Sequence, residues 1–167
     1  CMHAGPGPAR GSQTTGSLVA HLHPDRPTLF VTATAAPCTS IFKPLWLDTP
    51  LPDLAGPAPA GTYDPQTLFW RHERLHRAVL ADYPARSAVL VAERDALEQE
   101  FVAGALAIAN RPASERAEFV AESFRRADEA EARWLAQIDA TPPRSRNGLL
   151  YRRTWAGFDR AAGMPVA

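Results

Sequence analysis

The spacing of hydrophobic positions changes about a third of the way along the chain. Thr28 to Thr34 (Thr-Leu-Phe-Val-Thr-Ala-Thr) alternates as a half-buried strand does. Ser12 to Leu22 is rich in Thr, Val and Leu, and Ser40 to Leu47 is a further apolar run. Three strands are therefore predicted, with His23-Pro24-Asp25-Arg26-Pro27 as the turn between the first two. Beyond Asp64 the period becomes helical. Leu68, His72, Leu75 and Val79 share one face of a helix that starts with Asp64 as N-cap and Pro65 at its first position, and ends near Pro84. Leu90, Leu97, Phe101 and Ile108 mark a second helix, ending near Asn110-Arg111-Pro112. Ser114 caps a third, with Val120, Phe124, Ala127, Trp134 and Ile138 as its apolar stripe.

Proline sharpens this division, because eleven of the sixteen lie in residues 1–65 and exclude helix interiors there. Four of them, with two glycines, fall between Thr49 and Tyr63, a segment read as an extended surface connection. After Thr141-Pro142-Pro143 the tail carries five arginines against Asp159, with Tyr151, Trp155 and Phe158 interleaved. A basic aromatic segment can stack on nucleic-acid bases, but this one matches no binding module, so a short docking helix with solvated arginines is expected. The fold class is α+β. Residues 1–48 supply strands of a partial antiparallel sheet, 49–63 the connection, 64–140 a three-helix region, and 141–167 a basic tail with a short helix. Three strands need something packed on them to be stable.

With 167 residues, 46% of them hydrophobic, the chain is one domain or part of one. Eighteen basic residues balance eighteen acidic ones, leaving no field to draw in nucleic acid or an anionic membrane. No apolar run reaches the length of a bilayer span, and the N-terminus lacks the pattern of a signal peptide. Cys1 and Cys38 form neither a disulfide framework nor a Cys-x-x-Cys pair, so a reducing, cytoplasmic setting is expected. Seventeen of the basic residues are arginine and Lys43 is the only lysine. The chain opens on Cys1 where a fresh translation product would carry Met, which reads as processing or a fragment.

Three constellations could carry chemistry. His72-Glu73-Arg74-Leu75-His76 has the His-Glu-x-x-His spacing, which places two imidazoles one helical turn apart for zinc. A third ligand is needed, and downstream there are only the generic candidates Glu93, Glu98 and Glu100. The preferred reading is an amphipathic helix with His72 inward and Glu73 and Arg77 as an exposed pair, with no metal and no cofactor. Cys1 as a mature N-terminus would combine a thiol with an α-amine able to take its proton, and the thiolate could attack an amide carbonyl. The alternative is a small structural residue. Arg10, Ser12, Gln13, Thr14 and Thr15 gather hydroxyls, an amide and a guanidinium that could hold a peptide, although such residues also gather at turns for backbone reasons. His3 is read as structural.

Taken together and in order, Cys1-Met2-His3, Ser12-Gln13-Thr14-Thr15-Gly16-Ser17, Thr32-Ala33-Thr34, Cys38-Thr39-Ser40-Ile41-Phe42-Lys43-Pro44 and Trp70-Arg71-His72-Glu73-Arg74-Leu75-His76-Arg77 resemble the C-terminal half of the secernin and C69 dipeptidase family, through about Phe101. The resemblance implies an αββα N-terminal-nucleophile hydrolase, represented here in part, that cleaves peptide amides through a thioester. It also implies that the nucleophilic cysteine lies upstream, since Cys1 matches an internal position of the family. The expected partners are a peptide or dipeptide substrate and the missing N-terminal half, and a homo-oligomer is compatible with both. Two other readings stay open: a self-processed amidohydrolase or acyltransferase subunit using Cys1, and a non-enzymatic scaffold.

Overall fold

The computed structural model describes residues 1–144 and 147–165. Three short strands form one antiparallel sheet in the order β1 (Leu18–His21), β2 (Thr28–Val31), β3 (Lys43–Leu45). Four helices follow: α1 (Leu68–Leu80), α2 (Tyr83–Ile108), α3 (Ala113–Asp139) and α4 (Leu149–Ala162). Val19 is paired with Phe30 and Phe30 with Pro44, so β2 is the central strand. Its burial alternates, with Thr28 and Phe30 inward, as the sequence period requires.

The strands are shorter than their apolar runs. Residues 12–17 are irregular, and β2 ends at Val31 because Ala33 takes a left-handed φ of 55° that a ladder cannot continue. A second left-handed alanine, Ala36 (φ 46°), opens a 3₁₀ turn over Pro37–Thr39. The proline-rich connection is not featureless either, since Asp53–Ala55 forms a 3₁₀ turn.

Helix starts also differ from expectation. Thr67, not Asp64, caps α1, its Oγ1 accepting from the Trp70 amide at 3.3 Å. The Asp64 carboxylate instead accepts from the Gln66 amide at 2.9 Å, closing a turn one step earlier. α1 stops at Leu80, and Pro84 sits in the first turn of α2, where its missing N–H costs nothing. Pro112 precedes α3, so Ser114 lies inside the helix and does not cap it.

α2 and α3 pack against each other, with α1 laid across both and the sheet seated on their far end. One core joins Leu75 and Val79 of α1 to Leu90, Leu97 and Phe101 of α2 and to Ala127, Trp134 and Ile138 of α3. A second joins Phe30 and Trp46 to Leu68, Ala105, Val120 and Phe124, which fixes the sheet to the helical layer. The tail helix α4 buries Trp155, while Arg152, Arg153 and Arg160 are exposed; Arg146 lies outside the described residues.

β1 is the exception to this packing. All four of its residues are exposed, Leu18 at 58% and Val19 at 54%, although adjacent residues of a strand point to opposite faces. Neither face of this margin is covered.

Candidate functional site

The His-Glu-x-x-His turn of α1 distributes its side chains to two different neighbourhoods. His72 is fully buried; its Nδ1 lies 3.0 Å from Oε1 of Glu131 on α3, close but without hydrogen-bond alignment, and its Nε2 meets Oγ1 of Thr39 at 3.3 Å. His76, equally buried, contacts the Glu73 carboxylate through Nδ1 at 3.1 Å. The two imidazoles are thus tied to separate carboxylates and do not converge. Glu93, Glu98 and Glu100 are engaged elsewhere, Glu98 accepting the Phe42 amide at 2.9 Å.

Glu73 and Arg77 do pair, at 2.8 Å, but Glu73 is only 1% exposed, so the expected surface pair is a buried one. The reason lies in distant chain. Nε2 of Gln13 donates to both Glu73 oxygens at 3.2 Å, and Arg77 reaches Asp159 of α4 at 2.6 Å while lying over the rings of Trp70 and Trp155. Burial by itself would raise the Glu73 carboxyl, but His76 and the Arg77 guanidinium hold it below the usual carboxylate range.

This network borders an open cleft of about 290 Å³, at the small end of ligand pockets. Ser12, Gln13, Trp70, Glu73, Arg77 and Trp155 are among its lining residues. Several buried polar atoms nearby have no hydrogen-bond partner among the described residues: Oε1 of Gln13, Nε2 of His76 and Nε1 of Trp155. The Tyr151 ring lies 6.3 Å from that of Trp155, and burial pushes its phenol up against the opposing effect of the indole.

The other residues of the polar segment do different work. Thr14 is a bridge: its amide donates to Met2 O (2.9 Å), its hydroxyl accepts the Met2 amide (3.0 Å), and its carbonyl accepts the Ala36 amide (2.9 Å). Arg10 and Thr15 are exposed and do not line the cleft.

Cys1 is exposed, and neither it nor Cys38 lines the cleft. The Cys38 sulfur instead contacts His3, whose Nε2 is 3.3 Å away, and the Cys1 sulfur lies within 4.8 Å of both ligand atoms. Burial pushes the Cys38 thiol up, and burial with the neighbouring His76 pushes the His3 imidazole down. His3 also packs its ring 5.5 Å from that of His76. The sequence contained one overlooked signal for this grouping: in an extended segment residues i and i+2 face the same way, so Cys1 and His3 point together.

Lys43 was likewise assigned no role by its sequence context. It is buried, donating to the carbonyls of Thr32 (2.9 Å) and Ile41 (2.7 Å), and burial lowers it to about 8 against the pull of Glu131.

By its fold the chain is a mixed α+β protein with one antiparallel sheet backed by helices. Among the described residues no helix is long and apolar enough to cross a membrane. Comparison with protein-family models, with curated proteins and with solved structures returns no match.

Proposed function

We propose that this chain is the C-terminal portion of a secernin-like cysteine dipeptidase, supplying the sheet margin and one wall of the peptide site, while the attacking thiol comes from other polypeptide. The observation that carries this reading is the cleft beside the Glu73 network. Its lining sets the exposed Ser12 hydroxyl, the Gln13 amide and the Arg77 guanidinium around one small space. A dipeptide offers a carboxylate for the guanidinium and an ammonium group for the hydroxyl and amide oxygens. The uncovered β1 margin supports continuation of the sheet into an αββα hydrolase architecture. Neither thiol lines the cleft, so on this reading the nucleophile for amide attack there comes from elsewhere.

Calorimetric titration of the 167-residue chain with unmodified dipeptides tests the proposal. Weak binding without turnover is expected, and Ser12→Ala, which removes an exposed hydroxyl from the cleft lining, should weaken it about five-fold. Binding indifferent to that substitution sinks the cleft assignment. Dipeptide turnover abolished by Cys1→Ser would establish the reading with Cys1 as nucleophile instead.

A further inference from the structure

Beside His76, three soft or borderline ligand atoms converge around His3. The sulfurs of Cys1 and Cys38 and an imidazole nitrogen of His3 all lie within 4.8 Å of one another. We propose that Cys1, His3 and Cys38 form a binding site for a divalent zinc-type cation, with two thiolates and one imidazole as ligands and the fourth tetrahedral position open.

The grouping is a product of how the chain is pinned. Thr14 holds Met2 through both its amide and its hydroxyl, which fixes the backbone between Cys1 and His3. The same Thr14 accepts the Ala36 amide, and Ala36 introduces the 3₁₀ turn that carries Cys38. Arg94 of α2 then fixes that turn, its Nη1 donating to the Cys38 carbonyl at 2.5 Å. Two arms far apart in sequence are thereby held by a common residue, and the left-handed Ala36 is a strained conformation that this bracing sustains. His3 presents Nε2 to the Cys38 sulfur, its Nδ1 being buried without a hydrogen-bond partner among the described residues.

Zinc favours sulfur and imidazole ligands in tetrahedral arrangement, and two cysteines with one histidine leave one position for water or a further ligand. Thiol and imidazole together also select against calcium and magnesium, which take oxygen. Binding would release the two thiol protons to solvent as the metal–sulfur bonds form, with no change in oxidation state. The site uses the Cys1 thiol and not its α-amine, so it is independent of whether residue 1 is a free terminus. Cys1 is exposed, and its side chain can move to close the remaining distance.

The test is a Co²⁺ titration of the reduced 167-residue chain, followed by absorption and by native mass spectrometry. One cobalt per chain is expected, with thiolate-to-cobalt charge-transfer and tetrahedral ligand-field bands that Zn²⁺ abolishes by displacement. Cys38→Ser and His3→Gln should each weaken binding by more than about 100-fold, exceeding what loss of a supporting contact around a metal costs. Should either variant unfold, Cys1→Ser gives the same readout from an exposed position whose loss leaves the core intact. Absence of the sulfur charge-transfer band, affinity unchanged in Cys1→Ser, or a Cys1–Cys38 disulfide that persists in reductant would each overturn the assignment.

Discussion

Gln13 and Glu73, sixty positions apart, meet through an amide that reaches both carboxylate oxygens at 3.2 Å. This contact ties the irregular segment before β1 to the centre of α1. It also encloses a carboxylate that the helix alone would leave nearer the surface, with His76 and Arg77 as its local partners. Once enclosed, Glu73 becomes a stability determinant, because a buried charge is tolerated only with its partners in place.

Glu73→Ala should therefore destabilise the chain by about 3 kcal/mol, leaving Arg77 and His76 without their carboxylate. Urea denaturation followed by tryptophan fluorescence would measure this. A loss no larger than that of an exposed ion pair would mean that the enclosure is not maintained in solution.

Acid should act on the same region. Glu73 and Glu131 both stand below their ordinary value of 4.5 in the folded chain. Carboxyls shifted in this direction stabilise the fold above the unfolded pKa, and that contribution is lost as pH falls through the folded value. A stability profile measured downward from neutrality should decline below about 4.5, and Glu73→Gln should flatten part of the decline.

The base side has the opposite origin. Lys43 falls from 10.5 to about 8 on folding, so between those values the unfolded chain holds more protons and stability rises with pH. Since Lys43 is the only lysine, its side chain gives a single Nζ resonance that can be titrated without assignment. An apparent value near that of a solvated lysine would refute the buried placement, and Lys43→Met should remove the rise in stability.

Gly56 provides a backbone test. Its φ is +69°, and an added Cβ would lie 2.6 Å from the Gln66 carbonyl oxygen. Gly56→Ala should cost about 2 kcal/mol and loosen the connection against the approach to α1, visible as a lower thermal midpoint. An unchanged midpoint would show that the connection does not hold this path.

The open margin predicts self-association. Leu18 and Val19 on an unpaired edge should make the isolated chain aggregate with rising concentration. Val19→Lys should suppress that aggregation while leaving the helical signal unchanged. Light scattering that shows equal association in both forms would locate the sticky surface elsewhere.

The sequence by itself determined the order of strands and helices, the alternation of β2, the apolar stripe of α3 and the break between α1 and α2. Each depends on side-chain period or on proline sterics within a few residues. It was less reliable about ends: Thr67 displaced Asp64 as cap because Asp64 was consumed by an earlier turn, and β2 stopped where Ala33 turned left-handed. Only the tertiary structure decided which polar residues meet. Gln13 with Glu73, His72 with Glu131 and His3 with Cys38 are contacts between segments brought together by the packing of the sheet, the helices and Thr14. No local period encodes such pairs, since residues distant in the chain become neighbours only after the core has fixed the path between them.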